Sequence, residues 1–187
     1  MRRLFVVAML LGPGVASARP ASKGAYAEAG GGATLMLGDG ASWAAPGPAL
    51  SLRVGYDLFG WLSLGVAADA STHEATVPPP PEGEYVQLYR GRADARLTVR
   101  VDMLALYGEG GVGAAMLSSN VLAKVGVQDP GESLSVMFAG GGGVEYQLQN
   151  RHYALGVGAD YWLAPGFASL SGLEVRAFLR YTYGGSH

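Results

Sequence analysis

The sequence predicts an all-β chain: an eight-stranded antiparallel up-and-down transmembrane β-barrel behind a cleavable signal peptide. Three observations carry this. Apolar and polar residues alternate with period two through segment after segment, the connections between segments alternate short and long, and the charged residues gather on one face of each segment.

The signal segment comes first. Arg2 and Arg3 form a positive start, Leu4 to Val15 an apolar run, and Ala16-Ser17-Ala18 a small-residue cleavage site. Residues 1–18 are therefore assigned to a signal peptide and 19–187 to the barrel domain. The apolar run falls short of the roughly 20 residues that a spanning helix requires. Composition fits a chain not built to face water alone, since 49% of its 187 residues are hydrophobic and 15% charged, against about 25% charged in soluble domains. A net charge of -2 argues against a nucleic-acid binder, which would need a basic stripe. The absence of Cys excludes a disulfide framework, a thiolate zinc site and a lipid-modified N-terminal cysteine.

The alternation defines eight strands. The first runs from about Tyr26 to Leu37, with Glu28 and Thr34 on its polar face and a glycine run, Gly30 to Gly32, inside it. In the second, Leu50, Leu52, Val54, Tyr56 and Leu58 oppose Ser51, Arg53, Gly55 and Asp57. The third sets Leu62, Leu64, Val66, Ala68 and Ala70 against Ser63, Gly65, Ala67 and Asp69. The fourth sets Ala93, Ala95, Leu97, Val99 and Val101 against Arg90, Arg92, Asp94, Arg96, Thr98 and Arg100. Tyr107 and Glu109 mark the polar face of the fifth, Ser135, Glu145 and Gln147 that of the sixth, and Asp160 and Trp162 that of the seventh. The eighth opposes Leu173, Val175, Ala177, Leu179, Tyr181 and Tyr183 to Glu174, Arg176, Arg180 and Thr182. Short links at Phe59-Gly60, Asp102-Met103 and Gln149-Asn150 separate long ones at 38–48, 71–84, 118–133 and 164–171. Turns on one side and loops on the other are how outer-membrane barrels are built.

Backbone polar groups in lipid must all be paired, so a sheet spans a membrane only by closing on itself. Eight strands leave an interior just wide enough for side chains. By parity that interior receives Arg53, Arg90, Arg92, Arg96, Arg100, Arg176 and Arg180 with Glu28, Asp57, Asp69, Asp94, Glu109, Glu145, Asp160 and Glu174. Buried together, these ions must pair, because an unpaired buried charge costs several kcal/mol, on the order of 3 to 5. A two-residue turn at Asp102-Met103 sets Arg96 opposite Glu109. Aromatics near strand ends form an interfacial belt: Tyr56, Phe59, Trp61, Tyr146, Tyr153, Tyr181 and Tyr183 at the turn end, with Tyr85, Tyr89, Tyr161 and Phe167 toward the loops.

Strand count, loop alternation and an arginine- and glutamate-rich interior resemble the small outer-membrane barrels of the OmpA and OmpX type, over roughly Tyr26 to Tyr183. The resemblance implies residence in the outer membrane of a Gram-negative bacterium, with the lipid bilayer and the barrel-insertion machinery as partners. Such barrels end on an aromatic residue, whereas this chain continues past Tyr183 with Gly184-Gly185-Ser186-His187, so Tyr181 or Tyr183 would have to serve.

Catalytic chemistry has little support. Gly108-Glu109-Gly110-Gly111-Val112-Gly113 has the spacing of a dinucleotide loop but not its strand-loop-helix setting. Its glycines are read as room for arginine side chains and for tight curvature. His73 is placed in a loop, His152 at a turn-end strand start and His187 at the terminus, too scattered for a metal site. His152 and Asp160 are separated by eight residues of strand, about 26 Å. No cofactor, no metal and no nucleic acid is expected. Three functions remain open: a non-catalytic barrel with an ion-paired lumen and interacting surface loops, a narrow pore for small solutes, and a soluble lipocalin-like carrier. The last would need a Lys- and Glu-rich exterior, and the strands contain no Lys.

Overall fold

A computed structural model describes residues 23–76, 85–118, 134–150, 152–167 and 170–184. The signal segment, Pro78 to Pro81, most of the 118–133 loop and the tail at 185–187 lie outside the described residues.

Eight strands close into one antiparallel barrel in chain order. They are β1 (Gly24–Leu37), β2 (Gly47–Phe59), β3 (Leu62–Glu74), β4 (Tyr85–Val101), β5 (Leu104–Leu117), β6 (Leu134–Gln147), β7 (Tyr153–Ala164) and β8 (Leu170–Gly184). A short 3-10 helix, Gly38–Ser42, leads from β1 toward β2. Closure is made by β1 against β8, paired from Gly24↔Gly184 to Leu37↔Ser171. Every strand thereby has two neighbours, which removes the edges that a membrane would not tolerate.

Turn chemistry sets the register at the short end. Asp102 adopts a left-handed φ of 54°, the conformation a two-residue hairpin turn requires and one that aspartate tolerates. The β4–β5 pair then runs from Val101↔Leu104 through Thr98↔Tyr107 and Arg96↔Glu109. Register fixes face. Leu52, Val54, Leu106, Val112, Leu155 and Val157 point out and are half or more exposed, while Arg53, Arg96, Glu109 and Asp160 point in and are buried.

Parity changes its meaning at the loop end. β4 has 17 residues, about 56 Å of strand and about 40 Å of height at a tilt near 45°, more than an apolar band of about 25 Å needs. The surplus emerges on the loop side. There the outward residues turn polar at Thr72, Glu74 and Gln87, and the inward ones turn apolar at Met36, Val86, Leu88, Leu117 and Met137. Trp162, Phe167 and Leu170 complete that inner cluster. Two expectations are corrected by it. Phe167 is not a belt aromatic but a buried member of the cluster, and His73 is not in a loop, because β3 continues to Glu74 and carries His73 inward.

The assignment of faces has a direct consequence. Val54 and Val157 are 54% and 56% exposed on the outer wall, so Arg at either should destabilise the barrel by about 2 to 4 kcal/mol in a bilayer. Arg in place of Thr76, beyond the end of β3, should cost much less; urea titration of the vesicle-embedded protein measures both, and equal tolerance would reverse the faces.

Candidate functional site: the charged lumen

Glu109, near the middle of β5, is the hub of the interior. Its Oε1 accepts from Arg92 Nη2 at 3.0 Å and Arg176 Nη2 at 2.6 Å, and its Oε2 accepts from Arg96 Nε at 2.8 Å and from Arg53 Nη1. Four guanidinium groups from β2, β4 and β8 thus converge on one carboxylate of β5. Arg92 and Arg96 reach it from the adjacent strand, and Arg53 and Arg176 cross the lumen.

From this hub the ion pairs extend both ways along the axis. Toward the loops, Arg176 and Arg92 hold Asp160, Arg53 and Arg92 hold Asp94, and Arg90 pairs with Glu174, which also accepts from Thr34 at 3.3 Å. Toward the turns, Arg96 grips Glu28 through both Nη atoms at 3.0 and 3.1 Å. Glu145 then joins Arg100 at 3.2 Å and Arg180 at 3.7 Å, and Arg180 reaches Asp57 at 2.5 Å. Arg96 also reaches Glu145 at 3.7 Å and Arg176 reaches Glu174 at 4.0 Å, so all seven arginines and seven of the eight acids form one connected network. Asp69 stands apart: it faces Arg90 across the β3–β4 pair, but Arg90 turns to Glu174. At the turn-end mouth, Ser63 donates to Asp57 at 2.6 Å and Arg100 to Gln147 at 2.6 Å.

Among the described strand residues four aromatic rings face the lumen, each directly across a strand pair from a glycine: Tyr26↔Gly55, Tyr107↔Gly143, Phe178↔Gly156 and Trp162↔Gly172. The rings fill the place of the missing side chains. A Cβ at Gly156 would lie 2.2 Å from the Phe178 ring, and one at Gly158 would lie 2.3 Å from the Tyr107 hydroxyl. Guanidinium groups then stack on the rings, Arg96 at 4.1 Å from the Tyr107 centroid, Arg180 at 3.8 Å from Tyr26 and Arg90 at 5.1 Å from Trp162. The cross-section therefore reads glycine, ring, cation, carboxylate, and the glycines make room for aromatics more than for arginines.

Of the three histidines, His187 lies outside the described residues. His152, just before β7, bonds the Thr182 carbonyl through Nδ1 at 3.0 Å. His73 is fully buried, with Nε2 at 2.9 Å from Ser71 Oγ and Nδ1 at 2.9 Å from the Ala45 carbonyl. Sequence reasoning misses this pair, because Ser71, Thr72, His73 and Glu74 are polar on both faces of the strand and carry no alternation to mark it. Both side chains are enclosed, and the contact ties β3 to the segment preceding β2. No group of three or more metal-ligating side chains occurs among the described residues.

The hub makes a quantitative expectation. Glu109→Ala should cost about 3 to 5 kcal/mol by leaving desolvated guanidinium groups, and a double-mutant cycle with Arg96 should show strong coupling. Asp69→Asn, outside the network, should cost less than about 1 kcal/mol. In the aromatic layer, Gly156→Val should cost about 1 to 3 kcal/mol through overpacking against Phe178. Unfolding curves of the refolded barrel decide all three, and a Glu109→Ala protein as stable as wild type would show the lumen to be bathed in water.

No family model matches the chain, and no curated protein matches it by sequence. Solved structures match by shape. Neisserial surface protein A, NspA, superposes with a TM-score of 0.63 at 17% identity, over 85% of this chain and 97% of that one. OprG of Pseudomonas aeruginosa gives 0.58 at 15% identity, over 90% and 100%. Ail, the attachment invasion locus protein of Yersinia pestis, in complex with a heparin analogue, gives 0.54 at 15% identity, over 87% and 99%. The chain has the fold of the small eight-stranded outer-membrane β-barrels.

Proposed function

We infer that this is a non-catalytic protein of a Gram-negative outer membrane, a sealed barrel that carries its long loops at the cell surface and conducts little. The observation that supports it is the joint arrangement of the two faces. The wall is apolar outside across its middle, and the inside is one neutralising ion network lying beneath an apolar cluster at the loop end. A soluble carrier would need the reverse, an apolar interior with room for a ligand and a charged exterior.

The parts divide the work. The network holds opposite walls together where hydrophobic burial cannot act, because lipid is as apolar as the side chains that face it. The apolar cluster shuts the lumen to ions at the outer end, which weighs against the alternative of a narrow solute channel. The Ser71–His73 contact is enclosed at the same level, which weighs against hydrolysis of an external substrate. The leader at residues 1–18 would deliver the chain to the periplasm, and the barrel-insertion machinery would read Tyr181 or Tyr183. Those two rings pack at 4.5 Å beside Tyr153 at the turn end.

The mature protein should fractionate with outer membranes, resist carbonate extraction and migrate faster on gels when unheated. Planar bilayers containing it should show no steady conductance. Recovery in soluble periplasm would sink the membrane reading, and open-channel currents would favour the pore.

A further inference from the structure

The outer wall is not uniformly convex. A depression of about 540 Å³ lies on it toward the loop end, across β2 to β6. Register explains its shape. One row around the barrel reads Leu52, Ala68, Gly91, Ala114 and Val136, each paired with the next. Three consecutive small side chains thus sit between two large ones that are 63% and 59% exposed. With neighbouring strands about 4.8 Å apart, the floor from Ala68 to Ala114 is about 10 Å wide. A Cβ added to Gly91 would meet nothing within 4 Å.

The next row toward the loops reads Leu50, Ala70, Tyr89, Met116 and Leu134. Tyr89 therefore stands at the rim directly above Gly91 on the same face of β4, and Gln87 one outward position beyond it. The Tyr89 hydroxyl donates to Gln87 Oε1 at 2.6 Å. That bond engages the amide oxygen, and the backbone N–H of Gln87 donates to Ser118 Oγ at 3.2 Å, so the side-chain N–H groups are the donors left at the height where the exterior passes from apolar to polar. An apolar trough topped by a hydrogen-bond donor matches the chemistry of an acyl chain beneath an ester or phosphate oxygen.

We propose that this depression seats one acyl chain of a membrane lipid, with Gln87 donating to that lipid's ester or headgroup oxygen. The proposal rests on the membrane reading above, since it is the continuity of the trough with the lipid-facing wall that names its occupant. A second copy of the chain fits less well. A two-fold contact sets a patch against itself, and two concave floors would enclose a void between them, whereas a flexible chain fills a concave floor. Inside a bilayer, retention comes from close van der Waals packing on small residues and from polar contacts, the two features the site offers.

The test uses the mature barrel in detergent micelles with palmitoyl-oleoyl-phosphatidylglycerol added, read by native mass spectrometry, after a gel shift shows each variant folded. Wild type should retain one lipid. Gly91→Leu and, independently, Ala114→Leu should each lower retention about tenfold by filling the floor, and Gln87→Leu should lower it without filling anything. Gly110→Leu, on the same outer wall but outside the depression, should leave it unchanged. Folded barrels of wild type, G91L and A114L that retain lipid equally would overturn the seat while leaving the membrane reading intact. A dimer that G91L abolishes would overturn it in favour of a second copy. A chain that stays soluble without detergent would overturn the membrane reading and the seat with it.

Discussion

Four guanidinium groups converge on the single carboxylate of Glu109, and the packing of the interior depends on that contact. An eight-stranded barrel leaves no radius for water to solvate ions individually. Apart from Asp69, the lumenal charges are held as one set. Because lipid gives the outer wall no hydrophobic reason to hold together, this set does what a hydrophobic core does in a soluble domain. It links β2, β4, β5 and β8 through side chains, where the backbone links only neighbours.

The aromatics are the second half of that solution. A guanidinium satisfied by carboxylates at its edges still has two apolar faces, and a ring offers a surface for one of them. Arg96 uses both kinds of partner at once, Glu28 and Glu109 at its edges and Tyr107 at its face. The ring can lie there only because Gly143 and Gly158 leave its place open. The glycine content thereby becomes a packing requirement rather than a sign of looseness.

Much of this was legible beforehand and some was not, for identifiable reasons. Strand number, turn positions and the inward set of charges follow from period two, because one-residue slips would bury Leu52 or expose Arg53. The pairing of Arg96 with Glu109 follows from a two-residue turn at Asp102. The crossings from Arg53 and Arg176 do not, since contacts across a lumen depend on closure and no local spacing encodes them. Nor could the aromatic and glycine pairs be read without three further registers, β1–β2, β5–β6 and β7–β8. The missed end of β3 has a simpler cause: once a strand leaves the bilayer its outward residues, Thr72 and Glu74, are as polar as a loop's, and the alternation that marks it disappears.

The exchange of inside and outside at the loop end has a wider consequence. From Arg90 up to Val86 on β4, and again from Glu109 up to Leu117 on β5, the rule for what a lumen-facing position accepts inverts from charge to hydrocarbon. Substitutions scored by strand parity alone would be judged correctly in the lower barrel and backwards in the upper one. The protein is in effect two materials joined end to end on the same eight strands. The upper one keeps its hydrocarbon inside, around Trp162, Met137 and Leu117, as a water-soluble β-protein does, while the lower one keeps it outside.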